Sequence, residues 1–361
     1  MKEIYFCVTN NISYDQRMKR ICTSLQQAGY NVSLVGRNAK GSPPLAETSY
    51  RQVRLGCLFQ KGKLMYLEFN LRLFFYLLFR KPDCIVGIDL DTIIPCYYIS
   101  VLKKIPRVYD AHEWFSELKE VVTRPAIKKI WLAIEEKYLP RFRNGYTVSA
   151  SIAEAFKQKY GVDYTLIMNT PLLTQPVAVE TKPYLLYQGA VNEGRGFEWL
   201  IPAMKMVDAT LWICGEGNFS EACRKLIREH GLDNKVIMKG YVSPVDLVAI
   251  TASAYAGINL VEPVGMNQVY SLANKFFDYI HAGIPQLTMK FPEYDRINEQ
   301  YHIAVLIDKL DPEIIARHLN NLLTNEVLYT TLKRNCAKAA ENLNWHNEEK
   351  KLISFYMEIL H

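Results

Sequence analysis

Apolar positions along this chain follow two rhythms. Short unbroken apolar runs alternate with longer stretches in which apolar residues recur every three or four positions, so strands alternate with amphipathic helices. In the first half the runs fall near 4–8, 32–36, 84–88, 107–109, 146–148 and 165–168, and the helical pattern near 15–28, 64–79, 92–103, 125–140 and 151–159. Proline then clusters from Pro171 through Pro176 to Pro183. The alternation restarts with runs at 185–188, 210–214, 236–240, 257–261, 286–289 and 304–307, each followed by a helical pattern, and ends in a helix over about 347–360. This rhythm predicts an α/β protein of two doubly wound, Rossmann-like parallel sheets, in domains of 1–175 and 176–346 that face each other across a cleft.

Composition leaves that picture intact. A chain of 361 residues exceeds what one core organises, and 49% hydrophobic with 22% charged residues excludes a disordered or fibrous class. The N-terminal MKEIYFCVTNN enters a strand without the basic segment and apolar core of a signal peptide. The longest apolar stretch, 71–79, is interrupted by Arg72 and falls well short of the roughly 20 residues a spanning helix needs. Eight cysteines without a CxxC or a paired His spacing read as reduced thiols in a cytoplasmic protein, with neither a disulfide framework nor a metal site.

Chemistry concentrates between 255 and 287. The run from Ala256 to Val261 reads as a buried strand, and a helix is predicted over 271–282, apolar at Leu272, Phe276, Phe277 and Ile280 and stopped by Gly283 and Pro285. A helix N-terminus carries about half a positive charge and unpaired N–H groups, so the amides of Ser271, Leu272 and Ala273, with Lys275 beside them, suit phosphate oxygens. Asp278, one turn further on the same face, suits a ribose diol. An ordinary amphipathic helix with a surface Lys and Asp is the other reading of this stretch.

The spelling Asn274-Lys275-Phe276-Phe277-Asp278 followed by Tyr279-Ile280-His281-Ala282-Gly283-Ile284-Pro285 resembles the signature of the family 4 retaining glycosyltransferases, of two-domain GT-B architecture, in its bacterial type. The resemblance implies two acids eight positions apart, the second on ribose. Asp278 matches the second, and Tyr270 stands where the first would lie near the donor sugar. The segment from Tyr187 to Gly196 is similar to the family's glycine turn: Gly189 opens it, Ala190 replaces an Arg, and Arg195 matches the diphosphate-binding Lys. A guanidinium can grip phosphate bidentately. Gly215-Glu216-Gly217 occupies the place of a second glycine turn, and Gly240-Tyr241-Val242-Ser243 that of a loop meeting the base through backbone groups. The resemblance further implies a last helix that returns to the first domain, a retained anomeric configuration and no metal or other cofactor.

In the first half, Asp110-Ala111-His112-Glu113 follows the strand at 107–109, and DAHEWF resembles a family loop carrying a sugar-facing His. His112, with an ordinary pKa near 6.5 and both protonation states in reach, would meet the donor sugar or an acceptor hydroxyl. In the plainer reading Asp110 caps a helix and His112 is merely exposed. Asn10 and Asn11 stand where many relatives carry an acceptor loop, with Asp15 and Arg17 behind, although Asp15 also reads as a helix N-cap. The expected catalytic set is therefore His112, Arg195 and Lys275. The donor set is Gly189, Gly215, Gly217, Tyr241, Val242, Tyr270, Ser271, Leu272, Asn274 and Asp278, and the acceptor side is Asn10, Asn11, Asp15, Arg17 and Glu113.

Charge is uneven along the chain. Residues 1–170 hold 25 Lys+Arg against 15 Asp+Glu, a net of +10, and residues 171–361 hold 18 against 22, a net of −4. Basic residues interleave with aromatics in 72–82 and in 123–143, where Trp131 and Tyr138 accompany Lys128 and Lys129. Such segments suit peripheral contact with an anionic membrane at the inner face of the cell membrane, or they are helices with solvated basic faces. No nucleic-acid motif accompanies the charge. The sequence thus leads to a glycosyltransferase that moves a sugar from a nucleotide-diphosphate donor to a glycan or glycolipid acceptor in polysaccharide biosynthesis. A sugar-nucleotide epimerase of the same fold and a non-catalytic two-domain binding protein are the alternatives.

Overall fold

The computed structural model describes residues 1–13, 15–174 and 180–360. Part of the proline-rich connector, including Pro176 and the expected boundary at 175/176, lies outside the described residues, as does the last residue, 361. The chain forms two compact units. One comprises 1–169, 265–267 and 346–360, and the other 170–264 and 268–345.

In the first unit the strands are β1 (Glu3–Cys7), β2 (Asn31–Asn38), β3 (Arg51–Gly56), β4 (Cys84–Ile88), β5 (Arg107–Ala111), β6 (Asn144–Thr147) and β7 (Thr165–Leu166). They form one sheet in the order β3-β2-β1-β4-β5-β6-β7, with every pairing parallel. The connecting helices are α1 (Gln16–Gln27), α2 (Gly62–Leu78), α3 (Ile93–Lys103), the short α4 (Lys119–Val122), α5 (Pro125–Tyr138) and α6 (Ala150–Tyr160). Central strands are covered on both faces, as parallel sheets require, and all five residues of β4 are buried. β3 was not expected. Its sequence RQVRLG has no apolar run, because an edge strand with no buried interior residue needs none.

In the second unit β8 (Tyr184–Gln188), β9 (Thr210–Cys214), β10 (Val236–Gly240), β11 (Ala256–Asn259), β12 (Gln286–Met289) and β13 (Ala304–Ile307) form a second all-parallel sheet, in the order β10-β9-β8-β11-β12-β13. Its helices are α7 (Phe197–Ala203), α8 (Ser220–Glu229), α9 (Pro244–Ser253), α10 (Met266–Tyr270), α11 (Asn274–His281), α12 (Pro292–Tyr301), α13 (Pro312–Thr324) and α14 (Glu326–Asn342), with the residues of α10 shared between the two units. The helix expected over 271–282 starts three residues late. Ser271, Leu272 and Ala273 are irregular, Ala273 is extended (φ −70°, ψ 140°) and its N–H donates to Tyr294 Oη at 3.1 Å, so the chain turns into α11 only at Asn274.

The last helix, α15 (Trp345–Leu360), is fixed to the first unit by buried aromatics. Tyr356 is fully buried, with ring centroids 6.1 Å from Phe6, 6.4 Å from Tyr30 and 6.3 Å from Tyr146. Glu348, also buried, accepts from the Met168 N–H at 2.9 Å.

Candidate active site

A doubly wound sheet leaves a crevice beyond the strand C-termini where the strand order reverses. In the second unit that reversal lies between β8 and β11, and Gly189, Gly215, Gly217, Lys275 and Asp278 are linked to the strand ends beside it. Gly189 follows β8 with φ 112°, and its N–H donates to the Cys214 carbonyl at 3.0 Å. Gly215 follows β9 with φ 151° and donates to the Gly240 carbonyl at 2.7 Å. The packing leaves no room for a side chain here. A Cβ on Gly215 would stand 1.9 Å from the Gly189 carbonyl oxygen, and one on Gly217 would stand 2.2 Å from that of Val191. Asn192 and Asn218 clasp the two turns: Asn192 Oδ1 accepts from Asn218 N at 3.2 Å, and Asn218 Oδ1 from Glu193 N at 3.0 Å.

Over this floor lies Lys275, in the first turn of α11. A Cβ on Gly189 would be 3.9 Å from its Nζ, which sits 3.4 Å from the centroid of the Tyr187 ring. Burial and then the charge of Arg195 drive its pKa well below the usual lysine range, against the opposing pull of Asp278. Among the described residues no carboxylate forms an ion pair with Lys275 or Arg195. Lys275 over the glycine floor, with the charge of Arg195 close enough to act on it, makes a site whose natural complement is an anion.

Asp278 is held as well as placed. Its Oδ2 accepts from Gln188 Nε2 at 2.9 Å, and Gln188 Oε1 in turn accepts from Thr251 Oγ1 at 2.7 Å. Gln188 and Thr251 are both buried, and neither was picked out from the sequence. Gln188 ends an apolar strand, where its amide could have been noticed as a lone polar residue in a run that needs none. Asn274 and Tyr241 are exposed, Leu272 is buried, and Ser271, Tyr270 and Val242 lie between these extremes. Val242 packs on the cluster of Tyr184, Leu186 and Tyr279.

In the first unit the order reverses between β1 and β4, and a second charged group occupies the C-terminal ends of β1, β4 and β5. Asp110 belongs to β5 and is wholly buried, so it caps no helix. One of its oxygens accepts from Arg17 Nη2 at 3.2 Å, and the other lies 3.1 Å from His112 Nε2. Burial opposes charge on His112, but the Asp110 carboxylate outweighs it and pushes the pKa up to about 9. The imidazole is therefore a cation at neutral pH, not a group poised between two states as its ordinary pKa suggested. Asp89, at φ 54°, accepts from the His112 and Glu113 N–H groups at 2.9 and 3.2 Å. Asp91 accepts from Thr9 Oγ1, and burial lifts its carboxyl to about 7.

The expected acceptor residues separate into roles. Arg17 is buried, donating to Asp110 and to the Ile167 carbonyl at 3.2 Å, so it supports the site from behind. Asp15 is the N-cap of α1, accepting from Met18 N at 3.0 Å. Asn11 is engaged by Ser42 and Ser13. Asn10 and Glu113 are exposed. Among the described residues no group of three or more His, Cys, Asp or Glu is arranged to hold a metal ion, and no helix is long and apolar enough to cross a membrane.

Two all-parallel α/β sheets, each with a charged or glycine-lined group at its reversal point, define the GT-B class of glycosyltransferase fold. Residues 172–343 match the family model of glycosyl transferases group 1, and residues 16–169 match that of glycosyltransferase family 4. The chain belongs to the family 4 glycosyltransferases. Similar solved structures include a sucrose-phosphate synthase from Thermosynechococcus elongatus (16% identity, TM-score 0.82, 99% of each chain covered). Another is Anabaena HepE in complex with UDP-glucose (14%, 0.72, covering 99% of this chain and 100% of that one). A third is a Staphylococcus aureus TarM variant in complex with UDP (11%, 0.75, 100% of each). At these identities they speak for the fold alone. No curated protein sequence matches the chain.

Proposed function

We propose that the protein transfers a glycosyl unit from a nucleoside diphosphate sugar to a hydroxyl of a glycan or glycolipid, with retention and without a metal ion. The observation that carries this reading is Lys275 above Gly189, within reach of the charge of Arg195, with Asp278 one turn along α11. As the bond from the anomeric carbon to the diphosphate breaks, negative charge grows on the departing phosphate and positive charge on the sugar. Arg195, Lys275 in its protonated form and the α11 N-terminus meet that growing charge more strongly in the transition state than in the ground state. Asp278, held by Gln188, takes the ribose hydroxyls. His112, kept cationic by Asp110, serves as a charged hydrogen-bond donor to a sugar or acceptor oxygen and not as a base. Glycosyltransferase family membership and the UDP and UDP-glucose complexes of similar folds support the same donor class.

Calorimetric titration with UDP, GDP and pyrophosphate tests it. Lys275→Ala and Arg195→Ala should each weaken nucleoside diphosphate binding by about 1.5–3 kcal/mol, the scale of a charge-assisted hydrogen bond. Asp278→Asn should weaken nucleotides and leave pyrophosphate unchanged. Wild-type affinity in both cation variants sinks the site. Turnover that isomerises the donor without extending an acceptor sinks the transferase, and turnover abolished by EDTA sinks the metal-free reaction.

A further inference from the structure

α2 is apolar on two opposite faces, and only one of them is covered. Met65, Phe69, Leu73 and Leu77 are buried against the first unit. On the reverse side Leu64, Leu67, Leu71 and Phe75 are 47%, 58%, 53% and 56% exposed, and Phe79, just past the helix end, is 80% exposed. A helix of a soluble protein normally turns its second face polar, and a contiguous apolar strip on a monomer marks an interaction surface. We propose that the outer face of α2, with the adjoining Leu58-Phe59 turn, docks the first unit onto an anionic lipid bilayer. Transfer chemistry plays no part in this inference, and docking can be read without donor or acceptor.

The charge around the strip selects the occupant. Between 51 and 81 there are seven Lys or Arg and a single acid, Glu68. That acid is fully committed: its oxygens accept from Leu58 N and Phe59 N, each at 2.9 Å, and from Arg72 Nε at 2.8 Å. It thereby pins the turn beside the helix with Leu58 81% exposed. Lys61 and Lys63 stand exposed at one end of the strip and Lys81 at the other. From Leu64 to Phe79 the strip runs about 22 Å at 1.5 Å per residue, long enough for a helix lying in the plane of the interface. Beside it is a shallow hollow of about 370 Å³ in which Arg54 and Arg72 meet Leu55, Leu71 and Phe75. Arg54 is engaged by the Pro43 carbonyl and Ser13 Oγ, so the half-exposed Arg72, next to apolar side chains, is the guanidinium that matches a lipid phosphate above its acyl chains. A second copy fits poorly, since pairing this face with itself would oppose like charges.

In the 123–143 segment Arg124, Ile127, Lys129 and Ile130 are exposed, whereas two of the residues singled out from its sequence are engaged within the protein. Trp131 packs edge-on to Phe115 and Tyr66, at 4.7 and 5.4 Å between centroids, and Lys128 pairs with Glu117 at 2.6 Å. Flotation of the full-length protein with vesicles of phosphatidylcholine, alone or with about one-third phosphatidylglycerol, tests the proposal. The wild type should float only with the anionic vesicles and should be released by high salt. Leu71→Glu with Phe75→Glu should lower partitioning at least about tenfold at unchanged thermal stability, while Lys129→Glu on α5 should leave it unchanged. Any of three results overturns the proposal: wild type that ignores anionic vesicles, a double variant that binds like wild type, or a solution dimer that the double variant dissociates.

Discussion

Asp110 serves two cations with its two oxygens, and this sharing sets the charge of His112. The carboxylate is itself held below the usual range: burial pushes it up, but His112 and Arg17 outweigh burial. The folded-state pKa of His112, about 9, lies above the ordinary value of 6.5. Its contribution to stability is therefore complete below about pH 6.5 and is lost as pH rises through 9. Urea unfolding of wild type and His112→Gln across this range should show a stability gap that narrows as pH rises. A constant gap would mean that the imidazole is neutral throughout. From the sequence His112 could be singled out, but not its charge. That charge depends on Arg17 of α1 and Asp110 of β5, which lie 93 residues apart.

At the scale of elements, the donor floor depends on three strands ending in glycine turns that touch one another. Gly215→Ala must push a methyl group into the Gly189 carbonyl, so it should cost well over the ~1–2 kcal/mol of a merely left-handed position and should weaken UDP binding. Gly231→Ala is the control. Gly231 has φ 64° with open space around it, so only that conformational cost is expected, with UDP affinity intact. Thermal unfolding and calorimetry on both variants check this, and equal losses in the two would refute the interlocked turns. Buried strands and the glycine turns were legible because their apolar runs and positive-φ residues are local signals. The edge strand β3 and the late start of α11 were not, because the first has a neighbour on one side only and the second is set by the Tyr294 hydroxyl, 21 residues along.

At the scale of the whole molecule, each unit owns its core, and α15 belongs to the first. Tyr356→Ala removes a ring enclosed by Phe6, Tyr30 and Tyr146 and should cost about 3–5 kcal/mol. The loss should fall on the first unit, leaving UDP affinity at the second unit's site near wild type. Loss of UDP binding in the variant at a temperature where it remains folded would show that the two cores are not independent.

The chain also carries its own reporter. Of its eight cysteines seven are buried, and Cys57, beside the Leu58-Phe59 turn, alone is partly open. Burial raises its thiol pKa, so alkylation is best done at alkaline pH. A polarity-sensitive fluorophore attached there, without any substitution, would brighten and shift to the blue as the helix beside it left water for lipid, turning docking into an optical signal that can be followed in real time.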